Sequence, residues 1–256
     1  MENSALGPIA TLDSSLLDGR DYDEFLSPRE RAEFSRFRAP LRKSEWLAGR
    51  LSSKFLFLSE NGGTLSPADL VRFPPSEYRS TEVTRNDGVR FGLPQVGRGS
   101  EFRDVAISHT HGIACALLGD GGPIAVDIER VESRTPVFYR GNFTERERTS
   151  AAECSRRLGL DPHWTLTLFW SIKECLLKTP AYNHLSVWNM PALELRIVSG
   201  EADLVQPQSA REFTGAFVFL NVEATGRNGT VCQRVAVSGR YDLVMAAIRG
   251  VDRRTA

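Results

Sequence analysis

The chain has 256 residues, 41% of them hydrophobic and 25% charged, with 32 Lys and Arg against 32 Asp and Glu. That is enough apolar material for one large or two small cores, and zero net charge excludes a globally basic nucleic-acid binder. No apolar run approaches the ~20 residues needed to span a bilayer and no basic-then-apolar leader opens the chain, so a cytoplasmic protein without a membrane partner is expected.

In chain order, residues 1–26 carry few patterned apolar positions and read as an arm or edge strand. Ser27-Pro28-Arg29-Glu30 is a helix start, with Ser at the cap, Pro at the first turn and Glu three residues after the cap. It predicts a helix over 29–37. Pro40 interrupts the pattern, and Trp46, Leu47, Leu51 and Phe55 at helical spacing predict a second helix over 41–58. From Arg29 to Lys54 eight cationic side chains stand against three acidic ones. A surplus of five suits either a phosphate-bearing ligand or a solvated helix face.

Residues 62–100 are rich in Gly, Pro and Ser and read as loop, with one short strand around 89–91. Three runs then resemble a meander: 104–109, 113–118 and 124–129, with His111-Gly112 and 119–123 as turns. Helices follow over 143–158 and 164–178, and strands over 193–198, 213–222, 231–238 and 241–248. Helices followed by strands thus occur twice. Trp46, Arg50 and Lys54 share the spacing of Trp170, Glu174 and Lys178, and each helix follows an Arg-Glu-Arg at 29–31 and 146–148, so an internal duplication is one reading and chance the other.

The cysteines, Cys115, Cys154, Cys175 and Cys232, lack any Cys-x-x-Cys spacing. They fit neither a disulfide framework nor a zinc site and are expected to be reduced and buried.

The chemistry concentrates in two stretches. In Ile124-Ala125-Val126-Asp127-Ile128-Glu129, strict alternation puts Asp127 and Glu129 on one strand face, ~6.5–7 Å apart from two residues of rise. Two like charges so close need a cation or an arginine between them. Hard divalent cations such as Mg²⁺ are held by one or two carboxylates together with substrate phosphates. A polar outer face on an edge strand is the plainer alternative.

In residues 168–178, Trp170, Glu174 and Lys178 form one helical stripe, beside an apolar stripe of Phe169, Ile172 and Leu176. Glu174 and Lys178 alone would be an ordinary i,i+4 surface pair. Lys173, flanked by Phe169 and Leu177, emerges from apolar surroundings, as a snorkelling lysine would. His109 closes a strand before the two carboxylates and reads as structural or as lining the same cleft. His109 and His111 lack a third His or Cys for zinc.

Together, the strand 126–129, Phe143-x-x-x-Glu147 and Trp170-Ser171-x-Lys173-Glu174-Cys175-x-x-Lys178 resemble the signature of the surfactin-type 4′-phosphopantetheinyl transferases. Ile107-Ser108-His109-Thr110-x-Gly112 is similar to the family's upstream Ser-His motif, and Arg42-Lys43-x-Glu45-x-Leu47-Ala48-Gly49-Arg50 to its amino-terminal basic helix. The motifs run in the family's order over residues 42–178.

The resemblance implies an α+β fold of two similar halves, 1–122 and 123–256, about a pseudo-twofold with coenzyme A between them. It also implies an Mg²⁺-dependent transfer of 4′-phosphopantetheine from coenzyme A to a serine of an acyl or peptidyl carrier protein, by a monomer with no nucleic-acid partner. Asp127, Glu129 and Glu174 would hold the metal, Glu174 or a water would take the serine proton, and Lys178 and Lys173 would neutralise the pyrophosphate. His109, with the neighbouring Ser108 of the same motif, would meet the ribose 3′-phosphate, with Arg42, Lys43 and Arg50 adding positive charge. Glu30 and Glu33 stand where some members carry phosphate-binding lysines. Arg130, Arg134, Arg140, Arg146 and Arg148 face an acidic carrier or are scattered surface charges. A non-catalytic protein that binds coenzyme A or a carrier on the same fold is the alternative.

Overall fold

The computed structural model describes residues 8–19, 21–85, 94–179, 187–200, 217–226, 229–240 and 242–249. It is a mixed α+β structure with two β-sheets and seven α-helices among those residues. The chain divides into two units, Met1–Val126 and Asp127–Ala256. No helix among the described residues is long and apolar enough to cross a membrane.

The first unit opens on β1 (Ile9–Asp13), whose Ala10 and Leu12 are fully buried. An arm or edge strand was expected in 1–26, but β1 lies inside the sheet, between the two-residue β2 (Gly63–Thr64) and β6 (Ile113–Leu118). Its apolar pattern is only five residues long, too short to signal a central position. Next come α1 (Pro28–Phe34) and α2 (Pro40–Ser59). Pro40 starts α2, occupying the first turn where its missing N–H costs nothing.

The stretch 62–100 is more ordered than its composition implies. It holds β2, α3 (Pro67–Leu70), α4 (Pro75–Ser80), β3 (Glu82–Arg85) and β4 (Pro94–Arg98). The strand expected around 89–91 lies outside the described residues. With β5 (Glu101–Thr110) the sheet order is β2-β1-β6-β5-β4-β3. The β5–β6 turn is made by His111 (φ 45°) and Gly112 (φ 85°), both left-handed as a two-residue hairpin of this kind requires. α2 packs on this sheet so closely that a Cβ on Gly49 would sit 2.9 Å from the Ile107 side chain.

The second unit begins within β7 (Ile124–Arg130). Sequence made β7 the third strand of a meander with β5 and β6, but it joins the other sheet, beside β11 (Leu243–Arg249). Between them run α5 (Pro136–Asn142), α6 (Glu145–Leu158), α7 (Pro162–Leu177), β8 (Glu194–Ser199), β9 (Val218–Gly226) and β10 (Gly229–Arg240), in the sheet order β7-β11-β10-β9-β8. In both units, then, an opening strand pairs with the last strand of a four-stranded antiparallel meander, and helices fill the connection.

The two units also share an internal bond pattern. Glu30 at the third position of α1 closes a capping box with Ser27, accepts the Lys54 ammonium at 2.5 Å and accepts the Val83 N–H at 3.1 Å. Glu147 at the third position of α6 closes a capping box with Thr144, takes the Lys173 ammonium at 2.9 Å and accepts the Leu195 N–H at 2.8 Å. Both ion pairs are buried.

The Arg-Glu-Arg pattern therefore marks an equivalent glutamate in each unit. The tryptophan spacing does not extend the match, because the counterpart of Lys54, the lysine that bonds the capping glutamate, is Lys173 and not Lys178. None of the four cysteines is in a disulfide; Cys115, Cys154 and Cys175 are buried, whereas Cys232 is exposed, against expectation.

Candidate functional site

The candidate site lies in the second unit, where α7 meets β7. Phe169, Ile172 and Leu176 of α7 are almost fully buried, which turns Trp170, Glu174 and Lys178 toward the strand. Ser171 Oγ donates to the Asp127 carbonyl at 3.3 Å and fastens the two elements.

Asp127 is 3% exposed, so it is not the solvated outer face of an edge strand. Lys178, half-buried at the end of α7, donates to Asp127 Oδ1 at 2.7 Å. The ordinary helical Glu174–Lys178 pair is thus replaced by a bond between helix and strand.

Glu129 is held at both oxygens. Trp170 Nε1 donates to Oε1 at 3.0 Å, and Arg134, on the connection from β7 to α5, donates to Oε2 at 3.0 Å. Arg134 also lies 3.4 Å from Glu132, 4.7 Å over the Phe138 ring and 6.0 Å over that of Trp170. Among the described residues, the Glu174 carboxylate has no hydrogen bond or ion pair within bonding distance.

The electrostatics tie the three carboxylates together. Burial, then the Asp127 charge and more weakly that of Glu174, push Glu129 up to about 7, against the pull of Trp170 and Arg134. Burial and the Asp127 charge raise Glu174 as well. Burial alone would depress Lys178, but the Asp127 and Glu174 charges overturn that and raise it. Lys178 is a permanent cation here, while the glutamates sit closer to neutrality than free carboxylates do.

The remaining expected residues fall elsewhere. Lys173, read as a pyrophosphate ligand, has a side chain with no exposed surface, bonded to Glu147 and to the Asn142 carbonyl at 3.0 Å. Its flanking apolar residues pull it into the core, where Glu147 supplies the charge it needs, so it is corrected to a structural role.

In the first unit, Arg42 bonds the His109 ring, and Glu45 Oε2 lies 3.3 Å from His109 Nδ1. Glu45 Oε1 accepts the Gly112 N–H at 2.9 Å, pinning the hairpin turn. Ser108 is buried on β5 opposite Cys115. Lys43 sits 4.3 Å over the Phe34 ring, and Arg50 lies 4.6 Å over Trp46 and 3.6 Å from Glu33. Glu30 faces the core rather than a ligand position. The surplus charge of 29–54 is therefore no uniform patch, with Lys54 wholly internal. Of the five arginines considered for a carrier, Arg134, Arg146 and Arg148 pair with Glu129, Glu194 and Glu145.

Sequence reasoning missed the roles of Arg134 and Glu45. Spacing carried no signal for Arg134, which reaches Glu129 from an irregular connection. Glu45 could have been found as the acidic residue one helical turn from Arg42, on the helix facing the His109 strand.

Whether the cluster suits a metal can be tested on its donors. Three carboxylates, two of them raised by mutual repulsion and burial, are hard oxygen donors of the kind Mg²⁺ takes. Yet no three described His, Cys, Asp or Glu side chains stand arranged to hold an ion. Lys178 and Arg134 already engage Asp127 and Glu129. The donor chemistry fits a cation bound through one or two carboxylates plus a ligand's phosphates, not a preformed all-protein cage. No family model matches the chain, and no curated protein matches its sequence.

Proposed function

We propose that the protein is an Mg²⁺-dependent 4′-phosphopantetheinyl transferase of the surfactin type, moving the 4′-phosphopantetheine of coenzyme A to a serine of an acyl or peptidyl carrier protein. It would act in the cytoplasm as a monomer built of two copies of one α+β unit. The observation that carries this reading is the meeting of Asp127, Glu129, Glu174 and Lys178 in one electrostatically coupled group.

In the proposed reaction the carrier serine Oγ bonds to the β-phosphorus of coenzyme A, and the bond from that phosphorus to the bridging oxygen breaks. The serine proton passes to Glu174, directly or through water, and adenosine 3′,5′-bisphosphate leaves. Glu174 suits this role because its raised pKa makes it a stronger base than an exposed carboxylate, with no close partner among the described residues to compete for the proton. Lys178 supplies a fixed positive charge to the phosphates while orienting Asp127. Asp127 and Glu174, with Glu129 where Arg134 yields it, would hold Mg²⁺, which when bound offsets charge on the leaving phosphate. Arg42 and His109, with Arg50 and Lys43, are proposed for the 3′-phosphate end of the nucleotide.

The test is mass spectrometry of an apo-carrier incubated with coenzyme A and Mg²⁺. Transfer is expected from the native chain, and Asp127→Ala or Glu174→Ala should lose at least about a hundredfold in rate with an unchanged circular dichroism spectrum. Full transfer by both variants would remove the mechanism. The engagement of Asp127 and Glu129 by internal cations favours a second reading, a non-catalytic binder of coenzyme A or a carrier. Binding without transfer in the presence of Mg²⁺ decides for it.

A further inference from the structure

Arg134 has two acidic partners within reach. Its guanidinium donates to Glu129 Oε2 at 3.0 Å and lies 3.4 Å from Glu132 Oε1. Glu129 is mostly buried, at 19% side-chain exposure, whereas Glu132 is 41% exposed. The flat group is also guided by aromatic faces, over Phe138 at 4.7 Å and Trp170 at 6.0 Å. Its backbone is fixed independently, because the Arg134 N–H donates to Tyr139 Oη at 3.1 Å. The anchor is rigid and the head has an inner and an outer seat.

We propose that Arg134 is an internal latch on the carboxylate group: it holds Glu129 as a built-in cation, and moves its charge to Glu132 when a divalent cation takes Glu129. This rests on the cation site of the proposed function and adds a regulatory element to it. A guanidinium and a divalent ion brought to the same carboxylate repel each other at short range, so they compete for Glu129. Glu132 lowers the cost of release because the displaced charge need not be left unpaired. Trp170 remains as a donor to Glu129 Oε1 in either arrangement, which keeps that carboxylate oriented through the exchange.

The experiment is Mn²⁺ binding to the full chain, followed by the electron paramagnetic resonance of free Mn²⁺, without coenzyme A or carrier. Arg134→Gln should bind roughly fivefold to tenfold more tightly than the native chain, because the competing charge is gone. Arg140→Gln, which removes an exposed arginine of the nearby helix α5, should stay within about twofold. Glu132→Gln should weaken binding about threefold in the native background but not in Arg134→Gln, since the outer seat matters only while the latch is present. Mg²⁺ should also change tryptophan emission in the native chain and much less in Arg134→Gln.

Unchanged or weaker binding in Arg134→Gln, or an equal cost of Glu132→Gln in both backgrounds, overturns the latch. Should Arg134→Gln fail to fold, Arg134→Lys replaces it. Lysine keeps the charge but loses the planar fork, and should tighten binding about twofold, with no tightening counting against the proposal. Transfer by the native chain with no effect at Arg134 would sink the latch and spare the transferase. Tighter binding in Arg134→Gln from a chain that transfers nothing would do the reverse.

Discussion

The two units build the same trio from different places and use it differently. In the first, Trp46 Nε1 donates to Glu33 at 3.1 Å while Arg50 lies over the indole and 3.6 Å from that glutamate. In the second, Trp170 donates to Glu129 and Arg134 lies over the indole and bonds the same carboxylate. One acid and one base close the first trio. The second stands beside Asp127 and Glu174, where burial and then their charges raise Glu129. Similar contacts thus give a balanced pair in one unit and crowded carboxylates in the other, and the proposed function rests on that crowding.

The largest expected effect tests what the units have in common. Lys54→Ala and Lys173→Ala each leave a buried glutamate without its cation and should destabilise by about 3–5 kcal/mol in chemical denaturation. A Lys173→Ala protein of native stability but weakened coenzyme A binding would return Lys173 to the ligand role denied it above.

The next prediction separates the units by pH. Glu129 is raised from its ordinary 4.5 to about 7, so the folded state keeps a proton that the unfolded chain releases between those values. The stability this contributes is intact below pH 4.5, declines through the window and is lost above about pH 7. Glu129→Gln should therefore gain on the native chain by on the order of 2–3 kcal/mol between pH 4.5 and 8 in urea unfolding. A constant difference would contradict the coupling of the three carboxylates.

Smaller effects sharpen the same contrast. Trp46→Phe and Trp170→Phe each lose one hydrogen bond, about 1 kcal/mol of stability, but only Trp170→Phe should also alter Mn²⁺ affinity. A change in both would mean that the first trio is not insulated from the site. Arg146→Ala, which cuts an exposed pair with Glu194, should stay within about 0.5 kcal/mol.

Much of this was readable in the sequence because the signals were local. The Ser27 cap, the α2 and α7 apolar stripes, the His111-Gly112 turn and the Asp127/Glu129 alternation all act over a few residues. What escaped depended on partners far along the chain. The alternation in 124–129 could not say which sheet would receive that strand, and β11 lies more than a hundred residues later. Lys173 looked like a cation in search of a ligand because nothing nearby revealed that Glu147, 26 residues away, neutralises it. The strands in 62–100 are only two to five residues long, and β4 begins on a proline, so composition hid them.

The glutamate in the first turn of α1 and of α6 has a consequence for how a unit comes apart. Glu30 ties together a helix origin, a lysine from α2 and a main-chain amide of β3, the outermost strand of its sheet; Glu147 does the same for α6, α7 and β8. Peeling away the border strand would strip a ligand from a charge held in the dry interior, so fraying there is penalised far more than at an ordinary sheet margin. Each unit is thereby discouraged from offering its rim to neighbouring molecules, a recurrent origin of misassembly among β-containing proteins.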